Sequence, residues 1–242
     1  MDLTEQNLVT VEPKDLIHLP ELTVATGSLS PMERSLVAHF LLLSRPQVVV
    51  ELGVFEAHTS QFLCDVLKMN DIQAKVYGFD LKHVVKKLRA ENQAVQALEQ
   101  DNKLALIPGE LPRSLIDWLN QTNSTIDFAL VDARHDYHSV MQELNLLYPR
   151  LSRGGFILCH DYSPPYEGIR YAVNHFAKSK GAMMLPLGST DEASNSGHHS
   201  VLVALSHPPY PQHWTRNVYL AMRSRVVHSK LWQNVLKPLL KK

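Results

Sequence analysis

The sequence predicts an α/β sandwich, a doubly wound and mostly parallel sheet with helices on both faces. Short apolar runs alternate with longer amphipathic segments along most of the chain. One run, Val48-Val49-Val50, has three β-branched residues in a row and reads as a strand buried on both faces, as parallel strands are. Several strands also close on acidic residues, Glu51, Asp80, Asp132 and Asp161, which a parallel sheet gathers along one edge. At 242 residues and 45% hydrophobic, the chain is long enough to bury one sizeable core. We divide it into a cap segment at 1–29, the main domain at 30–206 and a helical extension of that domain at 207–242.

The cap carries Pro13, Pro20 and Gly27 and is expected to be irregular or a short helix. Ser30-Pro31-Met32-Glu33 is a helix start: serine caps, proline suits the first helical position, and glutamate three residues on completes a capping box. That helix runs through Leu36, Val37, Phe40 and Leu41 and stops before Pro46. After the Val48 strand come Gly53, then Thr59 and Ser60 as helix-starting residues, then the periodic run Phe62, Leu63, Val66, Leu67. A second strand spans Lys75 to Asp80, and a helix is expected over 82–98, with Asp80 as an alternative N-cap. Leu104-Ala105-Leu106-Ile107-Pro108-Gly109-Glu110 is a third strand entering a turn, and Leu115, Ile116, Trp118 and Leu119 mark a short amphipathic helix. The fourth strand runs from Ile126 to Asp132, with a helix at about 139–148 behind it. Leu151 to Gly155 reads as a glycine turn into a fifth strand ending at Cys159, with a helix at 166–178 following. Strands near 182–187 and 199–205 form an antiparallel edge hairpin across a Ser-, Asn- and Gly-rich loop. Helices at 213–242 close the chain.

Charge balances at 24 basic against 24 acidic residues, which gives no electrostatic footprint for nucleic acid. No apolar window is long enough for membrane insertion. Acids near Met1 do not suit a signal peptide, and Cys64 and Cys159 lie in apolar runs as small buried hydrophobes. The expectation is a cytoplasmic protein acting on a small-molecule substrate. Its oligomeric state is left open, a homo-oligomer included.

The chemistry converges on strand tips. Gly53 lets the backbone approach a ligand closely, and Asp80, at the end of the next strand, suits the two hydroxyls of a ribose. Asp132 and Asp161, from neighbouring strands, make a hard oxygen site for Mg2+ or another divalent cation, which would lower the pKa of a bound hydroxyl. A dinucleotide-binding turn needs more glycines than this one has, so a nicotinamide dehydrogenase is disfavoured.

The run Glu51-Leu52-Gly53-Val54-Phe55-Glu56-Ala57 resembles motif I of the class I S-adenosylmethionine-dependent methyltransferases, E-x-G-x-x-x-G, with Ala57 at the second glycine. The segments Val131 to Val140 and Leu151 to Tyr162 are similar to a branch of that family that includes macrocin-type O-methyltransferases and cephalosporin hydroxylase-like proteins. There the fourth strand ends in D-G-D-H-S-Y and the fifth in an H/D-D-Y. The resemblance spans about residues 47–165. It implies a Rossmann-like, seven-stranded sheet with a reversed last strand, and S-adenosylmethionine as cofactor. Glu51 and Gly53 would hold the amino-acid part of the cofactor and Asp80 its ribose. Gly109 and Glu110 would lie near the adenine, and Ala57, Thr59, Ser60 and Asp132 would complete the contacts. Asp132, Asp161 and His160 would bind metal, and His135 would be the general base beside the acceptor hydroxyl. Ala133 and Arg134 depart from the family's Gly-Asp. That departure motivates an alternative, a protein of the same fold that binds S-adenosylmethionine in a non-methylating or regulatory role.

Overall fold

A computed structural model describes residues 29–162, 166–187 and 202–208. All but residue 29 of the cap expected over 1–29, residues 163–165, the span 188–201 with its expected loop and strand start, and the helices expected at 213–242 lie outside the described residues. The elements are α1 (Pro31–Leu43), β1 (Val48–Leu52), α2 (His58–Met69), β2 (Lys75–Asp80), α3 (Lys82–Glu91), α4 (Gln93–Gln100), β3 (Leu104–Pro108), α5 (Arg113–Thr122), β4 (Ile126–Val131), α6 (Tyr137–Leu147), β5 (Leu151–Cys159), α7 (Glu167–Lys180), β6 (Met183–Leu187) and β7 (Leu202–Ser206). The strands form one sheet in the order β3-β2-β1-β4-β5-β7-β6, with β7 antiparallel to both of its neighbours and the others parallel. The predicted seven-stranded, doubly wound architecture with a reversed last strand is therefore the observed one. β7 is inserted between β5 and β6, so of the hairpin's two arms only β6 is an edge strand.

Strand periodicity builds the two layers. Val49, Val76, Phe128 and Leu158 face the helices α1 to α4, while Val50, Phe79, Ala129 and Ile157 face α5 to α7. The first face is locked by an edge-on contact of Phe40 with Phe156, ring centres 5.0 Å apart. The second is locked by Trp118 against Phe79 at 5.6 Å. The capping box of α1 forms as its sequence predicts: the Ser30 hydroxyl accepts from Glu33 N, and Glu33 accepts from Ser30 N.

Three local expectations change. The single helix expected over 82–98 breaks at Asn92, whose side chain accepts from Val95 N and caps a new helix, α4. Asparagine competes with the helical backbone for its own hydrogen bonds, so it favours a cap over a helix interior. The glycine turn expected at 151–155 is instead the first half of a nine-residue β5, with a register shift against β4 between Ile126 and Phe128. Gly154, at φ +91°, absorbs that irregularity. Finally, Thr59 and Ser60 do not start α2; the helix begins at His58 behind Ala57, with no side-chain cap.

Candidate active site

Strand order reverses between β1 and β4, and at such a switch point the loops leave in opposite directions and open a crevice beyond the carboxyl ends. Here the crevice encloses about 780 Å³. Every strand from β1 to β5 contributes: Gly53 and Thr59 after β1, Asp80 at the tip of β2, Gly109 and Glu110 after β3, Asp132 and His135 after β4, His160 and Asp161 after β5. A cleft of this size suits a small molecule of cofactor dimensions.

Packing gives Gly53 a role besides the close ligand approach expected of it. At φ +89° its missing Cβ would fall 2.2 Å from the Asp132 carbonyl oxygen and 2.8 Å from Ala133 Cα. The glycine lets the β1 turn lie against the tip of β4, which sets where Asp132 stands. Ala57 takes a left-handed conformation, φ +65°, which favours the glycine of the motif over any residue with a Cβ; it is fully buried and does not line the crevice. Glu51 and Ser60 do not reach it either. They are buried beneath it, with the Ser60 hydroxyl donating to Glu51 Oε2. Burial pushes the Glu51 carboxyl up to about 8, against the opposing Ser60 bond, with Asp132 and Asp80 nearby raising it further. Glu51, Ala57 and Ser60, expected at the cofactor, lie buried in the floor of the crevice rather than in its lining. Asp80 faces the crevice and ties the turn: its Oδ2 accepts from Val54 N at 2.9 Å and Phe55 N at 2.8 Å. It does not cap α3, whose N-cap position is Leu81. Asp80 Oδ1 accepts from Leu81 N at 2.6 Å; of the roughly four acceptor directions of a carboxylate, one on Oδ1 remains for a ribose hydroxyl.

At the far end, two histidines and two aspartates interlock. His135 Nε2 lies 3.7 Å from Asp132 Oδ1 and 3.4 Å from Asp161 Oδ2. His160 Nδ1 lies 3.2 Å from the same Asp132 oxygen and 3.5 Å from Asp161 Oδ2. Although burial opposes it, the His135 and His160 rings beside it hold the Asp132 carboxyl below its ordinary range. The nearby Asp132 carboxylate raises His135, with burial opposing and Asp161 adding to the rise. Burial works against charge on His160, yet Asp132, Asp161 and Glu33 together lift it well above the usual imidazole value. One donor atom from each of Asp132, His135 and Asp161 lies within 4.8 Å of the others, a spacing that fits a divalent ion. His160, expected among the ligands, is not in that group. Both of its ring nitrogens face carboxylates, and a nitrogen donating its proton has no lone pair for a metal.

The loop from Asp132 to Tyr137 is held from above. Gly168, in the first turn of α7, lies so close that a Cβ would meet the His135 carbonyl oxygen at 2.5 Å. Tyr166 packs its ring edge on His135, centres 4.8 Å apart. Arg134, in place of the family's acid, is exposed and pairs with Asp136 at 3.3 Å. His138 packs edge-on against Tyr137. His198, His199, Tyr210, Trp214 and Trp232 lie outside the described residues.

Two acids escaped the sequence reading as site elements. Glu33 was legible as a cap, but its second oxygen stands 3.1 Å from His160 Nε2, 127 residues further along. Nothing in local pattern signals that reach. Glu143 sits on the buried face of α6 with neither oxygen hydrogen-bonded, and burial raises its carboxyl to about 8, with Asp136 adding to the rise. Its heptad-like placement among Val140, Leu144 and Leu147 was the available signal. Between the unfolded value near 4.5 and the folded value near 8, the folded state keeps a proton that the unfolded chain has lost. Stability therefore falls with rising pH across that window, by about 1.4 kcal/mol per unit. Glu143→Met should gain more stability at pH 8 than at pH 5, the difference being about 3 kcal/mol. Urea unfolding at the two pH values measures it, and equal gains would show that Glu143 ionises freely.

Residues 50–162 match the family model of a methyltransferase domain. No curated protein matches the chain. Among solved structures, it is similar to an O-methyltransferase from Bacillus cereus in complex with SAH, at 13% identity and TM-score 0.58, over 76% of this chain and 84% of that one. It is also similar to the O-methyltransferase TomG of tomaymycin synthesis from Streptomyces achromogenes, in complex with SAM, at 13% identity and TM-score 0.54, over 74% and 81%. A third is CalS11, a TDP-rhamnose 3'-O-methyltransferase of calicheamicin biosynthesis, at 15% identity and TM-score 0.56, over 71% and 77%. At these identities the likenesses establish the fold.

Proposed function

From the premise that the chain carries a methyltransferase domain at residues 50–162, we propose that it is an S-adenosylmethionine-dependent enzyme that methylates a hydroxyl of a small molecule. The observation that carries this reading is the convergence of a cofactor-sized crevice and an acid–histidine cluster at one switch point. The turn at Gly53, with Thr59, takes the amino-acid end of the cofactor. Asp80 would take a ribose hydroxyl through its remaining acceptor direction, and Gly109 and Glu110 would border the adenine. Asp132 and His135 line the other end of the crevice, where the acceptor would be handled.

When bound, S-adenosylmethionine would supply an electrophilic methyl group to an acceptor oxygen, with S-adenosylhomocysteine as the leaving group. The acceptor proton passes to His135, whose side chain is 37% exposed and borders the crevice. Asp132 orients that imidazole and stabilises its charged form. Positioning supplies much of the rate in such a displacement, which is why the strand tips must be rigid. Alternatively, Asp132 and Asp161, with His135 as third donor and then not as base, would hold a divalent cation, which when bound would acidify the acceptor hydroxyl. A mixed nitrogen and oxygen set favours a transition metal over Mg2+.

Calorimetric titration of S-adenosylmethionine, with and without Mg2+ or Mn2+ and repeated on Asp161→Ala, tests this. Micromolar cofactor binding with a metal signal lost in the variant is the expected result. Binding without a metal response assigns proton removal to His135 alone. If the cofactor binds but no labelled methyl reaches any of a panel of hydroxylated acceptors, the non-methylating alternative stands. No cofactor binding refutes the reading.

A further inference from the structure

We propose that Glu33 is a positioning residue for this site, fixing the His160 ring from a helix that precedes the family-matched stretch; the inference rests on the function proposed above. Glu33 is 4% exposed and uses its two carboxylate oxygens in two directions. Oε2 accepts from Ser30 N at 2.7 Å and closes the capping box of α1. Oε1 lies 3.1 Å from His160 Nε2. A ring nitrogen facing a carboxylate at that distance carries the proton and donates it. On the other side of the ring, Nδ1 is turned to Asp132 Oδ1 at 3.2 Å.

The ring is therefore gripped at both nitrogens, and a flip would set carbon atoms against carboxylates at both ends. Its backbone is held as well, His160 N donating to Val131 O at 3.0 Å. Helix α1 is fastened to β5 by the Phe40–Phe156 contact, so the grip is anchored at both of its ends. The cap alone needs only Oε2; the second oxygen separates a positioning role from a structural one. Through His160, Glu33 reaches the two aspartates whose placement the reaction depends on.

The test uses the full chain with Ser30→Ala, Glu33→Gln and Glu33→Ala. Long-range nitrogen–proton spectra of the histidine rings are recorded, with His160→Gln to assign the signal. Wild type and Ser30→Ala should show a His160 Nε2 proton protected from exchange. Glu33→Gln, with one acceptor oxygen to share, should keep part of it, and Glu33→Ala should lose it. The thermal midpoint should fall in both alanine variants and further in Glu33→Ala, which also removes the carboxylate facing His160, so transfer is compared at a temperature where both are folded. Transfer of labelled methyl to an acceptor used by wild type should drop at least about tenfold in Glu33→Ala and stay within about twofold in Ser30→Ala. A signal that survives Glu33→Ala, a signal lost equally in Ser30→Ala, or equal transfer rates in the two variants would overturn the proposal. S-adenosylmethionine affinity, titrated in parallel, keeps the readings apart: a wild type that binds none refutes the proposed function and leaves the ring signal to report on Glu33.

Discussion

Replacing Gly53 with alanine should unfold or severely loosen this domain. The added Cβ would lie 2.2 Å from Asp132 O and 2.7 Å from Asp132 C, and neither atom is the end of a flexible side chain. Relief requires the β1 turn to part from the tip of β4. Alanine at φ +89° adds a backbone penalty of about 1–2 kcal/mol, and forced overpacking in a core typically adds about 1–3 kcal/mol. We expect a loss of about 3 kcal/mol or more, read as a shift in the chemical-denaturation midpoint. At conditions where the variant is still folded, S-adenosylmethionine affinity should fall as well, because the same movement displaces Asp132. Wild-type stability with wild-type affinity would show that the turn has slack that the packing does not suggest.

Asp132→Asn should abolish most activity while leaving the fold standing. The substitution keeps the size of the side chain and removes the charge that both histidines share. His135 then loses the partner that orients it, and we expect kcat for methyl transfer to fall by about 10²–10⁴, the usual worth of a positioned general base. The variant should also change how stability responds to pH. In wild type the histidines bind protons more tightly when folded. Their contribution is complete below the unfolded imidazole value of about 6.5 and is lost as pH rises through their raised folded values. Asp132 behaves oppositely: its contribution is present above the ordinary carboxyl range and is lost as pH falls through its lowered value. In Asp132→Asn both limbs should flatten, most visibly the alkaline one. Labelled-methyl assays and thermal midpoints across pH measure the two effects. A variant with unchanged kcat would remove Asp132 from the machinery.

The architecture was legible because it rests on periodicity. Uninterrupted apolar runs for parallel strands and 3.6-residue spacing for helices survive any detail of packing, and the capping box at Ser30 to Glu33 is a purely local device. The errors fell where local signals compete. Asn92 breaks a helix that its neighbours would continue, and the paired glycines before Phe156 serve a bulged strand as readily as a turn. In the site, the acids at strand tips were visible one by one, since strand ends can be read from the chain.

Their division of labour was not visible. Sequence alone determined a doubly wound sheet, its switch-point crevice and the presence there of Asp80, Asp132, His135, His160 and Asp161. Only the tertiary structure decided that Glu51 and Ser60 lie under the crevice, that Gly53 serves the backbone of β4, and that His160 is clasped by Glu33 while His135 joins Asp132 and Asp161 in the group spaced for a metal. Strand position follows from spacing along one chain. Which carboxylate meets which ring depends on distances between segments up to 127 residues apart, set by how the layers pack.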